Sequence, residues 1–210
     1  MKKFGLLLIA CAIAVLSGCA VQPYDYTAIN AAKPKSILVI PPASESTDVN
    51  STYTFLSTIS KPLAEQGYYV FPVAVVDTFM KENGLPTPDE MNSIPLEKIR
   101  DVTGADAVLY VNINQWGQKF QLISSVTAID SDVRLVDTRT GTLLWHAKIQ
   151  AQQGSSDGGG GLAGAIVGAI AEQIASAIVD KTYGLSAQQN LLAVNNKTRG
   201  LPNGPYKKVE

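Results

Sequence analysis

Ala107-Val108-Leu109-Tyr110-Val111-Asn112-Ile113-Asn114 is the stretch whose reading decides the fold. Ala107, Leu109, Val111 and Ile113 share one face, and Tyr110, Asn112 and Asn114 share the other. That period of two belongs to a strand with one buried side. The pattern breaks at Trp116-Gly117, where a bulge is expected. A second long strand is predicted from about Ser124 to Val136, with Ile129, Val133 and Leu135 inward. Asp137-Thr138-Arg139-Thr140-Gly141 makes the turn, with Gly141 supplying a positive φ. The return strand carries Leu143, Trp145, Ala147 and Ile149 inward. Three consecutive antiparallel strands form a meander.

Upstream the pattern differs. Ile37-Leu38-Val39-Ile40 is a continuous apolar run ended by Pro41-Pro42, which reads as a strand covered on both faces. Residues 43–52 read as a polar loop. Ser51 or Thr52 can cap a helix with the stripe Leu56, Ile59 and Leu63, stopped at Gly67, and Pro62 should kink or break it. Tyr68 to Val73 is a second strand. A short helix follows with Val76, Phe79 and Met80 inward and Asn83-Gly84 as its stop. Pro86, Pro88 and Pro95 punctuate a surface segment, and Leu96 to Val102 is a helix closed by Gly104. A βαβα beginning followed by a meander gives an α/β fold: a mixed sheet with an antiparallel three-strand meander, flanked by helices.

The N-terminus gives an address. Lys2 and Lys3 precede an apolar run from Leu6 to Leu16, and Leu16-Ser17-Gly18-Cys19 fits the signal read by the bacterial lipoprotein machinery. The run is too short to span ~30 Å of hydrocarbon. Leu8-Ile9-Ala10-Cys11 fits the same loose pattern but would leave almost no apolar core behind the lysines. Residues 1–18 are therefore expected to be a signal peptide, cut between Gly18 and Cys19. Residues 19–34 read as a tether, 35–196 as a single domain, and 197–210 as a flexible basic tail. The tether residues 20–33 span ~45 Å at full stretch and ~20 Å as a coil. The resemblance of this stretch to bacterial lipoproteins implies diacylglycerol on the Cys19 thiol and an acyl chain on its amine, and two or more chains anchor stably. Ala20 is not the aspartate that typically retains lipoproteins in the inner membrane, so outer-membrane sorting is expected.

Composition excludes several functions. Removing Lys2 and Lys3 leaves 15 basic residues against 18 acidic ones, a net charge of −3, which argues against nucleic acid as a partner. Cys19 is the one cysteine left after cleavage, so no thiolate metal site or intrachain disulfide can form. His146 is the single histidine, which removes most nucleophile–base constellations. It shares the outward face with Lys148 and Gln150, whereas Trp116 and Trp145 read as core aromatics. No catalytic residue, metal ligand or cofactor is expected apart from the covalent lipid.

A glycine-rich loop, Gly154 to Gly161, leads into a helix from Leu162 to about Lys181, followed by a shorter one from Ala187 to Asn195. Gly159-Gly160-Gly161-Leu162-Ala163-Gly164 matches the dinucleotide pattern on paper. Its context is wrong: a hairpin strand precedes it, and no strand follows to supply a ribose-binding acid. From Leu162 to Val179 only Glu172, Gln173 and Ser176 are strongly polar. Such a helix is ~27 Å long. Glu172 near its middle would cost ~2.5–3.5 kcal/mol in a bilayer, so burial against protein is expected instead of insertion. Gly164, Ala165, Gly168 and Ala169 form a small-residue surface. It suits either self-association into a homodimer or close packing onto the chain's own sheet.

Four features together carry a resemblance: the lipobox, the Tyr68-Tyr69-Val70 to Val76-Asp77 stretch, Gly104-Ala105-Asp106-Ala107, and Arg134-Leu135-Val136-Asp137-Thr138-Arg139-Thr140-Gly141 leading to Leu144-Trp145. They resemble a family of Gram-negative lipoproteins that includes a genome-derived neisserial antigen. The Gly-Ala-Asp strand and the Asp-x-x-Thr-Gly hairpin also look like parts of the CsgG periplasmic domain, the TolB N-terminal domain and LpoB. The resemblance implies a TolB N-domain- or CsgG-like fold used for protein contacts. It brings no catalytic residues, and Cys19 is the one functional position it transfers. The expected role is that of a non-catalytic accessory of a CsgG-like secretion or envelope-assembly complex. The alternative is activation of a peptidoglycan synthase, for which the tether looks short.

Overall fold

The computed structural model describes residues 23–120, 125–154 and 181–208. The elements run α1 (Thr27–Ala32), β1 (Ser36–Val39), β2 (Ala43–Ser44), α2 (Ser51–Glu65), β3 (Tyr69–Val70), α3 (Val73–Glu82), α4 (Pro88–Asn92), α5 (Leu96–Thr103), β4 (Ala107–Phe120), β5 (Ser125–Asp137), β6 (Leu143–Gly154) and α6 (Lys181–Val194). The fold is α/β, with one mixed sheet of six strands in the order β3-β1-β4-β5-β6 and β2 also on β4. β1 pairs in parallel with β3 and β4. β4, β5 and β6 form the expected antiparallel meander.

The apolar run at β1 is divided between two cores. Ile37 and Val39 join Phe55, Leu63, Leu109, Leu135 and Trp145 on one face, whereas Leu38 and Ile40 join Val76, Met80, Met91, Ile99 and Val108 on the other. Each such side chain contributes about 1.5–3 kcal/mol when taken out of water. That is why this strand carries no polar alternation and lies between two partners. The first core is covered by α1, α2 and α6, and the second by α3, α4 and α5.

Local differences from the sequence reading have physical causes. The second strand is two residues long, because Pro72 cannot extend the ladder and Val73 already opens α3. In α3, Val76 and Met80 point inward, but Phe79 is 41% exposed. The bulge falls at Asn114, where the β4–β5 register shifts between Ile113 and Gln115, and the strand runs on through Gly117 (φ 102°). In β6 it is Leu144 that is buried, and Leu143 is 46% exposed. Leu135 faces Trp145 while Val136 faces Leu143, so Leu144 is an extra residue turned inward. Residues 43–52 are not wholly loop, since Ala43–Ser44 adds a parallel strand to β4.

Neither Ser51 nor Thr52 caps α2. Asn50 holds that position without a side-chain bond, while the Thr52 hydroxyl donates to the Pro42 carbonyl (3.1 Å). α2 continues through Pro62 to Glu65 before Gly67 (φ 92°) turns the chain. The proline-punctuated segment holds α4, whose capping box pairs Thr87 with Glu90 and whose Met91 is fully buried. α6 includes residues ahead of the predicted Ala187, and the predicted helix from Leu162 to about Lys181 lies, up to residue 180, outside the described residues.

Candidate functional site

Two motifs that stood out in the sequence meet at one end of the sheet. The Asp106 carboxylate accepts the backbone N–H of Lys35 (2.9 Å) and Ser36 (3.2 Å). Ser36 Oγ in turn accepts the Asp106 N–H (3.0 Å). The Thr138 hydroxyl donates to the carbonyls of Ala105 (2.7 Å) and Asp106 (3.0 Å). Asp137, 1% exposed, accepts the N–H of Arg139 (2.8 Å) and Thr140 (3.0 Å) and pairs with the Arg139 guanidinium (2.8 Å). Burial pushes this carboxyl up, but the bonds from Arg139 and Thr140 prevail and hold it below the ordinary aspartate value. Gly141 closes the turn at φ 70°. The Gly-Ala-Asp strand and the Asp-x-x-Thr-Gly hairpin are thus two halves of one latch joining β1, β4 and β5. Every strong polar group in it is engaged within the fold, and its chemistry is structural.

The meander offers a different surface. On the face away from the first core, Asn112 and Asn114 of β4, Asp130, Asp132 and Arg134 of β5, and His146, Lys148 and Gln150 of β6 are partly or fully exposed. Their side chains hold one another: Asn112 Nδ2 donates to Asn114 Oδ1 (2.7 Å), and Asn114 Nδ2 donates to Asp132 (2.7 Å) and Asp130 (3.1 Å). Gln150 donates to Asp130 (2.7 Å), with Lys148 4.0 Å away. Burial raises the Asp130 pKa, and the bonds from Gln150 and Asn114 outweigh it, leaving the carboxyl lowered and charged. Where this face runs under α4, a hollow of about 310 Å³ is lined by Ala43, Asn92, Tyr110, Asn112, Arg134 and Val136. The arrangement presents fixed donors and acceptors on a rigid sheet, which suits recognition of a polar partner surface. Among the described residues, no group of His, Cys, Asp and Glu could hold a metal ion.

Within the segments expected to be a tether and a flexible tail, the described residues from Tyr24 to Ala32 and from Arg199 to Tyr206 are folded onto the domain. Tyr24 Oη accepts the backbone N–H of His146 (2.8 Å) and lies 3.0 Å from that residue's Nδ1. This satisfies a donor on the outer edge of β6. Tyr26 donates to the Gly200 carbonyl (2.8 Å), and Ile29 of α1 enters the first core. From the other terminus Leu201 is buried, Trp145 Nε1 donates to the Arg199 carbonyl (2.9 Å), and Gln66 donates to the Leu201 carbonyl (2.6 Å). Tyr68, its phenol pushed up to about 12 by burial, donates to the Pro202 carbonyl (2.9 Å). Sequence periodicity missed both segments because single aromatic side chains and backbone carbonyls, not a stripe, hold them.

Trp116 and Trp145 are core residues, and His146 is exposed beside Lys148 and Gln150, as the strand alternation indicates. Gly18, Cys19, Gly164, Ala165, Gly168 and Ala169 lie outside the described residues, as does most of the glycine-rich loop. Among the described residues no helix is long and apolar enough to cross a membrane.

Comparison with known proteins places this fold. The chain matches the family described as putative lipoprotein GNA1162-like over residues 24–206. It is 41% identical over 205 residues to a putative lipoprotein of Neisseria meningitidis serogroup B, covering 95% of each chain. The crystal structure of lipoprotein GNA1162 from Neisseria meningitidis aligns with a TM-score of 0.58 at 42% identity, covering 69% of this chain and all of that one. The C-terminal domain of LpoB from Salmonella enterica aligns at a TM-score of 0.43 and 19% identity, over 67% of this chain and 91% of that one. The matched span runs from the docked Tyr24 strap, through the latch and the meander, to Tyr206 of the docked C-terminal segment, and the chain belongs to the GNA1162-like family of putative lipoproteins.

Proposed function

We propose that this chain is an outer-membrane lipoprotein, held by acyl chains on Cys19 after cleavage behind Gly18, whose folded body is a non-catalytic accessory of a CsgG-like secretion or envelope-assembly complex. Family membership supports the lipid anchor, and Ala20 following the cysteine supports the outer membrane. The observation that carries the role is the length of the leash. Tyr24 is already fixed on β6, five residues after Cys19. Five residues reach at most ~18 Å. The body therefore works against partners in or beside its own membrane. Its instrument is the open, internally bonded sheet face of the meander.

Site-specific photo-crosslinking in intact cells, with the reactive group at Arg134 or Lys148, tests this reading. Recovery of an outer-membrane secretion or assembly lipoprotein is expected. Recovery of a peptidoglycan synthase would overturn it.

A further inference from the structure

We propose that the end of the domain built from the C-terminus of α1, the start of β1 and the C-terminal segment lies against the membrane and binds anionic phospholipid headgroups. The inference rests on the Cys19 anchoring argued above. Tyr24 marks where the chain leaves the anchor, and α1 follows at once. Its six residues make ~9 Å of helix, so Lys33 at its end stays near the anchored side. There a groove of about 490 Å³ is lined by Ile29, Lys33, Lys35, Tyr68, Asn203 and Gly204, and both lysines are exposed. Beside it Tyr206 is 62% exposed and is followed by Lys207 and Lys208. Tyr and Lys side by side suit the boundary between headgroups and water.

Of the acids at this end, Asp106 and Asp137 are engaged, whereas Glu65 and Asp25 are exposed. Asp106 holds Lys35 N–H and Ser36, Asp137 holds Arg139, and Glu65 faces Lys61 at 3.6 Å. Asp25 is exposed and accepts the Thr27 N–H (2.8 Å) just ahead of α1. The chain is acidic as a whole once the signal is removed, yet this end presents Lys33 and Lys35 at the groove and Lys207 and Lys208 beside it, with the Lys207 ammonium donating to the Glu65 carbonyl (2.7 Å). A cationic end on an otherwise acidic body, leashed within ~18 Å of a lipid, is complementary to an anionic headgroup layer.

The test uses the full lipidated chain in nanodiscs of phosphatidylethanolamine, with and without phosphatidylglycerol. Cys19 is acylated and no other cysteine follows it, so Asn203→Cys takes a nitroxide uniquely, and Val49→Cys serves as the far control. Val49 lies beyond the N-terminus of α2, whose 15 residues put ~22 Å between its two ends. With phosphatidylglycerol, lipid-borne nickel should relax the label at 203 at least about fivefold more than the label at 49, the weight of roughly one cation near an anionic surface. Lys33→Glu with Lys35→Glu should abolish the difference, and Lys33→Gln with Lys35→Gln should reduce it. Equal relaxation at both positions, or no dependence on phosphatidylglycerol, overturns the inference. So does shielding of 203 that occurs in native outer-membrane vesicles but not in nanodiscs, because a protein would then be the occupant. Intact mass separates the two claims: acylated protein with equal relaxation sinks this inference alone, whereas protein without acyl chains sinks the anchoring.

Discussion

The two faces of the meander are made by the same three strands and follow different rules. The inner face carries Val111, Ile113, Ile129, Val133, Leu135, Trp145 and Ile149, all buried under α1, α2 and α6. The outer face carries Asn114, Asp130, Asp132, Lys148 and Gln150, bonded to each other and partly or fully exposed. Burial makes the first face sensitive to any lost volume. Solvent screening makes the second cheap to alter for stability. The inner face holds the fold, and the outer face is available for function.

Trp145→Ala should break the comparison most visibly if it is wrong. Trp145 is fully buried and its indole holds the C-terminal segment through the Arg199 carbonyl. A loss of about 3–5 kcal/mol is expected in urea unfolding, with faster amide exchange in residues 199–204. A loss below 1 kcal/mol would show that the inner face is not the core.

Next comes the latch. Asp137→Asn removes a charge-assisted cluster and should cost about 1.5–3 kcal/mol at neutral pH. The sign with pH follows from the lowered folded-state pKa. The stabilisation is complete above the unfolded aspartate value of about 3.9 and is lost as pH falls from there through the folded value. The variant and the parent should therefore converge in stability in the acid limb, and parallel curves across that range would exclude the mechanism.

A smaller effect, about 1 kcal/mol, is expected for Tyr24→Phe, which leaves the His146 N–H at the β6 edge without its partner. Hydrogen exchange at His146 reports it directly. The smallest belongs to the outer face: Asp132→Ala should change stability by no more than about 0.5 kcal/mol, yet it should reduce crosslinking from Arg134 in cells. A large loss of stability there would mean that the open network holds the fold.

The three meander strands, their inward residues other than Leu143, and the hairpin turn were legible because period-two patterning and Gly141 are local signals. Burial of β1 on both faces was legible from Ile37 to Ile40 for the same reason. What escaped was decided between distant residues. The bulge settled at Asn114 because Asp130 and Asp132 across the sheet receive its amide, and Leu144 turned inward because of how β6 registers on β5. The flanking segments looked unstructured because their order depends on Tyr24, Tyr26 and Leu201 meeting residues more than a hundred positions away or backbone on another element. The open sheet face was readable as polar alternation, but its internal bonding was not. α6 offers a similar lesson. Its buried Asn190 donates to Thr58 of α2 (2.9 Å), a contact that fixes the helix pair and leaves no periodic trace.

The most direct measurement is the intact mass of the mature protein extracted from membranes. The account predicts a chain that begins at Cys19 and carries a diacylglyceryl group and an acyl chain, recovered with the outer-membrane fraction. A chain recovered from the soluble periplasm with an unmodified Cys19, or one that still carries residues 1–18, would contradict it.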